Sequence, residues 1–226
     1  MSAFLNLFIF IGILVLNTFA FAESSISYLG YKINISDKAE KNPNTPKAID
    51  VIKKQIALIT EKNSKFKILA TKTQFWLTDN QWTKSTAVVT HVSKEWLIQE
   101  NMDLRLYGNI EVLNVTNFAA WSIKYQPMMT VHELAHAYQY FYVGWYHPLI
   151  AETYNKAMKK NLYQSVPYLK PDGKKMRAYA ATNEHEYFSE LTETYFGPNE
   201  FYPFNKTQLA EYDPEGLKML ESVWGK

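Results

Sequence analysis

The sequence predicts an α+β fold in a single domain, and three observations carry that prediction. Short strand-like runs rich in Val, Ile and Phe are concentrated in the first half of the chain. Helical periodicity governs one long segment there and most of the second half. Setting aside an N-terminal leader of 22 residues leaves 204 (226 − 22), enough to bury one core and short for two. No internal repeat, low-complexity tract or linker divides the chain.

Residues 4–15 are almost wholly apolar, and Ala20-Phe21-Ala22 matches a small-x-small cleavage site before polar Glu23. Residues 1–22 therefore read as a signal peptide and 23–226 as the mature domain, secreted or periplasmic. An uncleaved anchor is the competing reading, since the apolar run nearly reaches bilayer length and no Lys or Arg precedes it. Residues 28–35 read as a strand. Residues 46–61 read as a helix, with Ile49, Ile52, Ile56 and Ile59 near helical spacing and Thr45 as N-cap. Residues 66–69, 75–77, 86–92 and 110–115 read as strands. A helix spans 128–142, with Gly144 near its end, and another spans 148–163. Residues 166–179 read as a hairpin around Asp172-Gly173. Residues 183–196 form a helix stopped by Gly197-Pro198, and 215–223 close the chain as a helix.

Composition excludes more than it identifies. A net charge of +2 with Lys and Glu interspersed leaves no basic stripe, which argues against a nucleic-acid partner. With no Cys, the mature chain has no disulfides, so stability must come from packing, helped by any bound metal. Asn34, Asn114 and Asn205 begin N-x-S/T sequons, which matter only in a glycosylating export pathway. After leader removal no membrane span is expected.

The chemistry concentrates in His132-Glu133-Leu134-Ala135-His136. On a helix, residues four apart share a face, so both imidazoles can meet one ion while Glu133 stands beside them. This is the H-E-x-x-H pattern of zinc hydrolases: two nitrogen ligands and a general base. A surface helix carrying two stray histidines is the bland alternative. The apolar neighbours Val131, Leu134, Ala135, Ala137 and Tyr138 argue for burial instead, and buried histidines need partners.

A catalytic site needs a third protein ligand. Tyr142 occupies the position six residues past His136 where a third histidine would complete one class, and Lys156 occupies the position of a glutamate twenty residues on. His147 lies at neither spacing, so the ligand comes from farther along. Glu186, Glu190 and Glu193 recur at i, i+4 and i+7 among Tyr187, Phe188, Tyr195 and Phe196, and any of them satisfies the geometry. Whichever serves, Glu190 also suits a hydrogen-bond acceptor for a ligand histidine. His185 and His91 read as structural.

H-E-L-A-H-A at 132–137 followed by Y-A-A-T-N-E-H-E-Y-F-S-E at 179–190 resembles the gluzincin-type catalytic domain of anthrax lethal factor. It resembles still more closely the small secreted zinc metallopeptidases that share these motifs. The resemblance runs from about residue 87 to the C-terminus and implies a zincin-like domain: an active-site helix, a small sheet and a second ligand-bearing helix. It selects Glu186 as third ligand and Tyr179, seven residues earlier, as a group facing the metal. It also implies that the strand at 110–115 lies along the cleft and pairs with extended peptide, unless it is plain core. Gln139 and Ser189 depart from the family pattern, and both are expected to stay clear of the proposed ligands.

The expectation is a secreted zinc metallopeptidase acting on a peptide or protein. His132, His136 and Glu186 hold Zn²⁺, Glu133 is the general base and Tyr179 the oxyanion donor. The alternative is a secreted, zinc-stabilised binding or adhesion module without efficient turnover, which would have no need of Glu133.

Overall fold

A computed structural model describes residues 22–82, 86–169 and 174–225, so residues 1–21 of the proposed leader and the Asp172-Gly173 turn lie outside the described residues. The chain is a mixed α+β domain, as the pattern of runs predicts. It opens with β1 (Ala22–Tyr28) and β2 (Tyr31–Ser36), an antiparallel hairpin rather than the single strand expected at 28–35. Leu29 and Gly30 both have positive φ (47° and 89°), the geometry of a two-residue primed turn. Leu29 is no turn signal, which is why the turn escaped the reading.

Then come α1 (Asp37–Glu40), α2 (Thr45–Lys62) and α3 (Lys65–Leu69). Thr45 is inside α2, not its cap; Asn44 holds the cap position, and the Thr45 hydroxyl donates back to the Ala39 carbonyl. The strand expected at 66–69 is helix α3. A strand would have put Phe66 and Ile68 on one face; the helix instead buries Phe66 with Leu69 and leaves Ile68 exposed.

β3 (Phe75–Leu77), β4 (Val88–Thr90), α4 (Lys94–Gln99) and β5 (Ile110–Val112) follow. The sheet order is β1-β2-β3-β5-β4, with β2, β3 and β5 parallel and β1 and β4 antiparallel at the edges. The strand expected at 110–115 ends early because Asn114 caps α5 (Val115–Lys124), accepting from the Asn117 N–H at 2.8 Å. β5 is interior to the sheet with both edges paired, and none of its residues lines the cleft. The edge strand β4 does so instead, and it packs on α6 (Met129–Tyr138).

A π-helical turn, Gln139–Val143, extends α6 to Gly144, and α7 (Pro148–Lys159) follows. β6 (Val166–Pro167) and β7 (Lys175–Met176) pair antiparallel as the hairpin reading expects. A short 3-10 turn, Tyr179–Ala181, leads into α8 (Glu184–Phe196), and α9 (Lys206–Tyr212) and α10 (Pro214–Trp224) complete the chain. Among the described residues no helix is long and apolar enough to cross a membrane. Of the three sequon asparagines only Asn205 is exposed, since Asn34 and Asn114 are buried in hydrogen bonds of the fold.

Candidate metal centre

Two helices build the site. α6 lies between β4 and α8, and every one of its residues is buried. Its first turn is anchored from α2, where the Gln55 side chain accepts from the Thr130 N–H at 2.9 Å in place of a cap. α8 begins at Asn183, whose side chain accepts from the His185 and Glu186 N–H groups at 2.9 Å each. This cap fixes the turn that carries Glu186.

His132 Nε2, His136 Nε2 and Glu186 Oε2 converge. The two imidazole nitrogens are 3.1 Å apart, and the carboxylate oxygen is 2.9 Å from one and 3.2 Å from the other. Donors held about 2.0–2.1 Å from a tetrahedral ion stand roughly 3.3 Å from one another, so the triangle is close to the size a zinc ion needs. Tautomers strengthen the point. His132 Nδ1 is 2.7 Å from Glu193 Oε1, and His136 Nδ1 is 3.0 Å from Ser189 Oγ. With Nδ1–H donated to these partners, both Nε2 lone pairs face a carboxylate oxygen in a buried site. Three acceptors that close repel unless a cation or a proton sits between them. These residues therefore form a group that could hold a metal ion.

The electrostatics agree. Burial alone would depress the His132 pKa, but hydrogen bonds to Glu186 and Glu193 outweigh it and hold it well above the usual value. Burial would likewise raise Glu186, yet the two imidazoles hold its carboxyl well below the ordinary range.

Glu133 projects from the same helix into the cleft, and the Thr90 hydroxyl on β4 donates to its Oε2 at 2.6 Å. Tyr179, half-exposed, points its hydroxyl at Glu186 Oε1 (3.3 Å) with its ring 6.0 Å from that of His132. Burial and the Glu186 carboxylate both raise its pKa, so the phenol keeps its proton at neutral pH. All five residues line one cleft of about 600 Å³.

Two expectations are corrected here. The carboxylate that receives a ligand imidazole N–H is Glu193, not Glu190, whose Oε1 is 3.7 Å from His132 Nδ1 and beyond hydrogen-bonding distance. Glu190 points instead towards Asn199. Ser189, expected to stay clear of the ligands, touches His136 directly. Gln139 does keep its distance, with its amide donating to the Trp145 carbonyl. Glu193 was visible as the third member of the α8 stripe; Thr90 carried no local signal.

His91 is structural as expected, buried against Glu111 at 2.8 Å. His185 stacks face to face on Trp145 (3.9 Å, 12°) at the cleft wall. Comparison with family models, with curated proteins and with solved structures returned no match.

Proposed function

We propose that this protein is an exported zinc metallopeptidase of gluzincin type. The observation that carries the reading is the pairing of a three-donor set of metal-site dimensions with a carboxylate, Glu133, that is buried beside it and ligates nothing. A purely structural metal site has no use for such a base. The residues that would hold the ion are His132, His136 and Glu186. Bound there, zinc supplies Lewis acidity, making a water acidic near neutral pH and polarising a carbonyl.

The chain's own residues do the rest. Glu133 takes the proton from the attacking water and delivers it to the departing amine. Thr90 restricts the Glu133 carboxylate to one orientation by donating to it. Tyr179, whose proton is retained at working pH, donates to the oxygen on which negative charge develops. Glu193 and Ser189 orient the two ligand imidazoles. β4, at the sheet edge along the cleft, offers backbone groups to an extended peptide.

Metal analysis of the purified protein, with a peptide-library digest by wild type and Glu133→Gln, tests the proposal. About one zinc per chain and cleavage only by wild type are expected. Alanine at Glu186 should lose more zinc than alanine at Glu190 or Glu193, and His136→Ala should lose most of it. Zinc retained with no cleavage of any peptide would favour a binding module instead.

A further inference from the structure

The proposed mechanism leaves part of the cleft unused. At its inner end lie three buried carboxylates, Glu190, Glu193 and Glu200, each 2 % exposed. Glu193 is hydrogen-bonded to His132, whereas Glu190 receives the Asn199 side-chain amide at 3.4 Å and stands 3.7 Å from the same imidazole. Glu200 is steadied by the Gln126 side chain and by its own N–H on the Asn199 side chain. Its second carboxylate oxygen, Oε2, is buried with no hydrogen-bond partner at all. No Lys or Arg among the described residues lines the cleft.

Such an arrangement is costly unless something cationic enters. A buried carboxylate oxygen without a partner has given up its hydration with nothing to replace it. A second metal fits less well. The metal-sized group here is His132, Glu190 and Glu193, and it would need the His132 nitrogen whose proton Glu193 already receives. Glu200 does not belong to that group. A cation carried on an apolar stem suits the lining better. Trp121 and Met129 supply the apolar wall along which such a stem would pack.

We infer that this inner pocket takes the cationic side chain of a lysine or arginine in the peptide substrate, with Glu190 and Glu200 as its counter-charges. The inference rests on the peptidase reading for its substrate class. It concerns carboxylates that the proposed hydrolysis does not use.

Binding to the zinc-loaded Glu133→Gln protein tests it, using blocked peptides that carry one Lys or Arg at successive positions of a neutral sequence. The controls are the same peptides with norleucine or citrulline, matched in length but uncharged. At one position the charged peptides should bind on the order of tenfold or more tighter than their controls. That ratio should fall towards one when Glu200→Gln is added, with zinc content and thermal midpoint reporting that the variant is folded. The peptide comparison needs no pocket variant, so a variant that fails to fold leaves the question answerable. Equal binding of charged and neutral peptides at every position overturns the inference. So does a ratio that survives both Glu190→Gln and Glu200→Gln, or an absence of binding by any peptide. The two readings fail separately. Preferential binding of basic peptides without cleavage by wild type keeps the pocket and removes the peptidase, whereas cleavage with no basic preference does the reverse.

Discussion

Glu133 and Tyr179 line the same cleft from different elements, and each proposed role can be removed with little change of volume. Glu133→Gln keeps the Thr90 hydrogen bond as an acceptor but cannot take a proton. Peptide hydrolysis should fall by about 10²–10⁴-fold with zinc content unchanged, read by kcat and metal analysis on the same preparation. Tyr179→Phe leaves the ring beside His132 and removes only the hydroxyl. Losing one oxyanion donor costs on the order of 3 kcal/mol of barrier, about a hundredfold in kcat, with KM little changed. A phenylalanine variant working at nearly the wild-type rate would return Tyr179 to a packing role.

One helix, α8, supplies nearly everything that α6 does not. Asn183 caps it, Glu186 completes the donor set, Ser189 and Glu193 hold the imidazoles, and Glu190 faces the inner pocket. The i, i+3, i+4 and i+7 spacing puts these groups on one stripe. Only depth separates their tasks. Glu193→Gln and Ser189→Ala should each weaken zinc binding by about 10–100-fold, because an unsecured imidazole loses orientation and basicity. Glu190→Gln, whose carboxylate is beyond reach of the imidazole, should cost less than Glu193→Gln. Competition with a chromogenic chelator ranks the three, and a larger loss at Glu190 would restore that residue as the partner of His132.

At the scale of the whole molecule, the two site helices are seated on one residue from the C-terminal end. Trp224 of α10 stacks on Tyr138 of α6 (4.3 Å) and Phe66 of α3 (4.7 Å), and its indole N–H donates to Thr192 of α8. Trp224→Ala should cost about 3–5 kcal/mol of stability, measured by urea unfolding of the zinc-free protein. Metal is expected to stabilise the fold in its turn, so chelation should lower the thermal midpoint. The pH dependence has a definite sign. Hydrogen bonds to Glu186 and Glu193 hold the His132 pKa above its usual value, whereas a ligand imidazole must be neutral. Zinc binding should therefore release protons and weaken as pH falls, with the loss beginning at higher pH than for an ordinary imidazole. Calorimetry in buffers of different ionisation enthalpy measures this; a pH-independent affinity would contradict it.

Much of the chemistry was legible in the chain because it is local. H-E-x-x-H and the α8 stripe lie within single helices, where a spacing of three or four residues determines which side chains share a face. The hairpin at β6 and β7 and the stop at Gly197 were legible for the same reason. Elements whose identity depends on burial were not. The run from Phe66 to Leu69 satisfies both periods, and only its neighbours in the core select a helix. Which strand borders the cleft follows from sheet order, and no run of residues encodes that order by itself. The choice of Glu193 over Glu190 as the partner of His132 is set by how α6 and α8 pack, which moves one carboxylate within hydrogen-bonding reach and leaves the other outside it. Thr90 and Glu200 come to the cleft from segments remote in sequence from the H-E-x-x-H helix. The sequence by itself determined the candidate donor types and the carboxylate beside them; packing between helices and sheet decided which groups touch the imidazoles and which stand apart, because those contacts join segments remote in the chain.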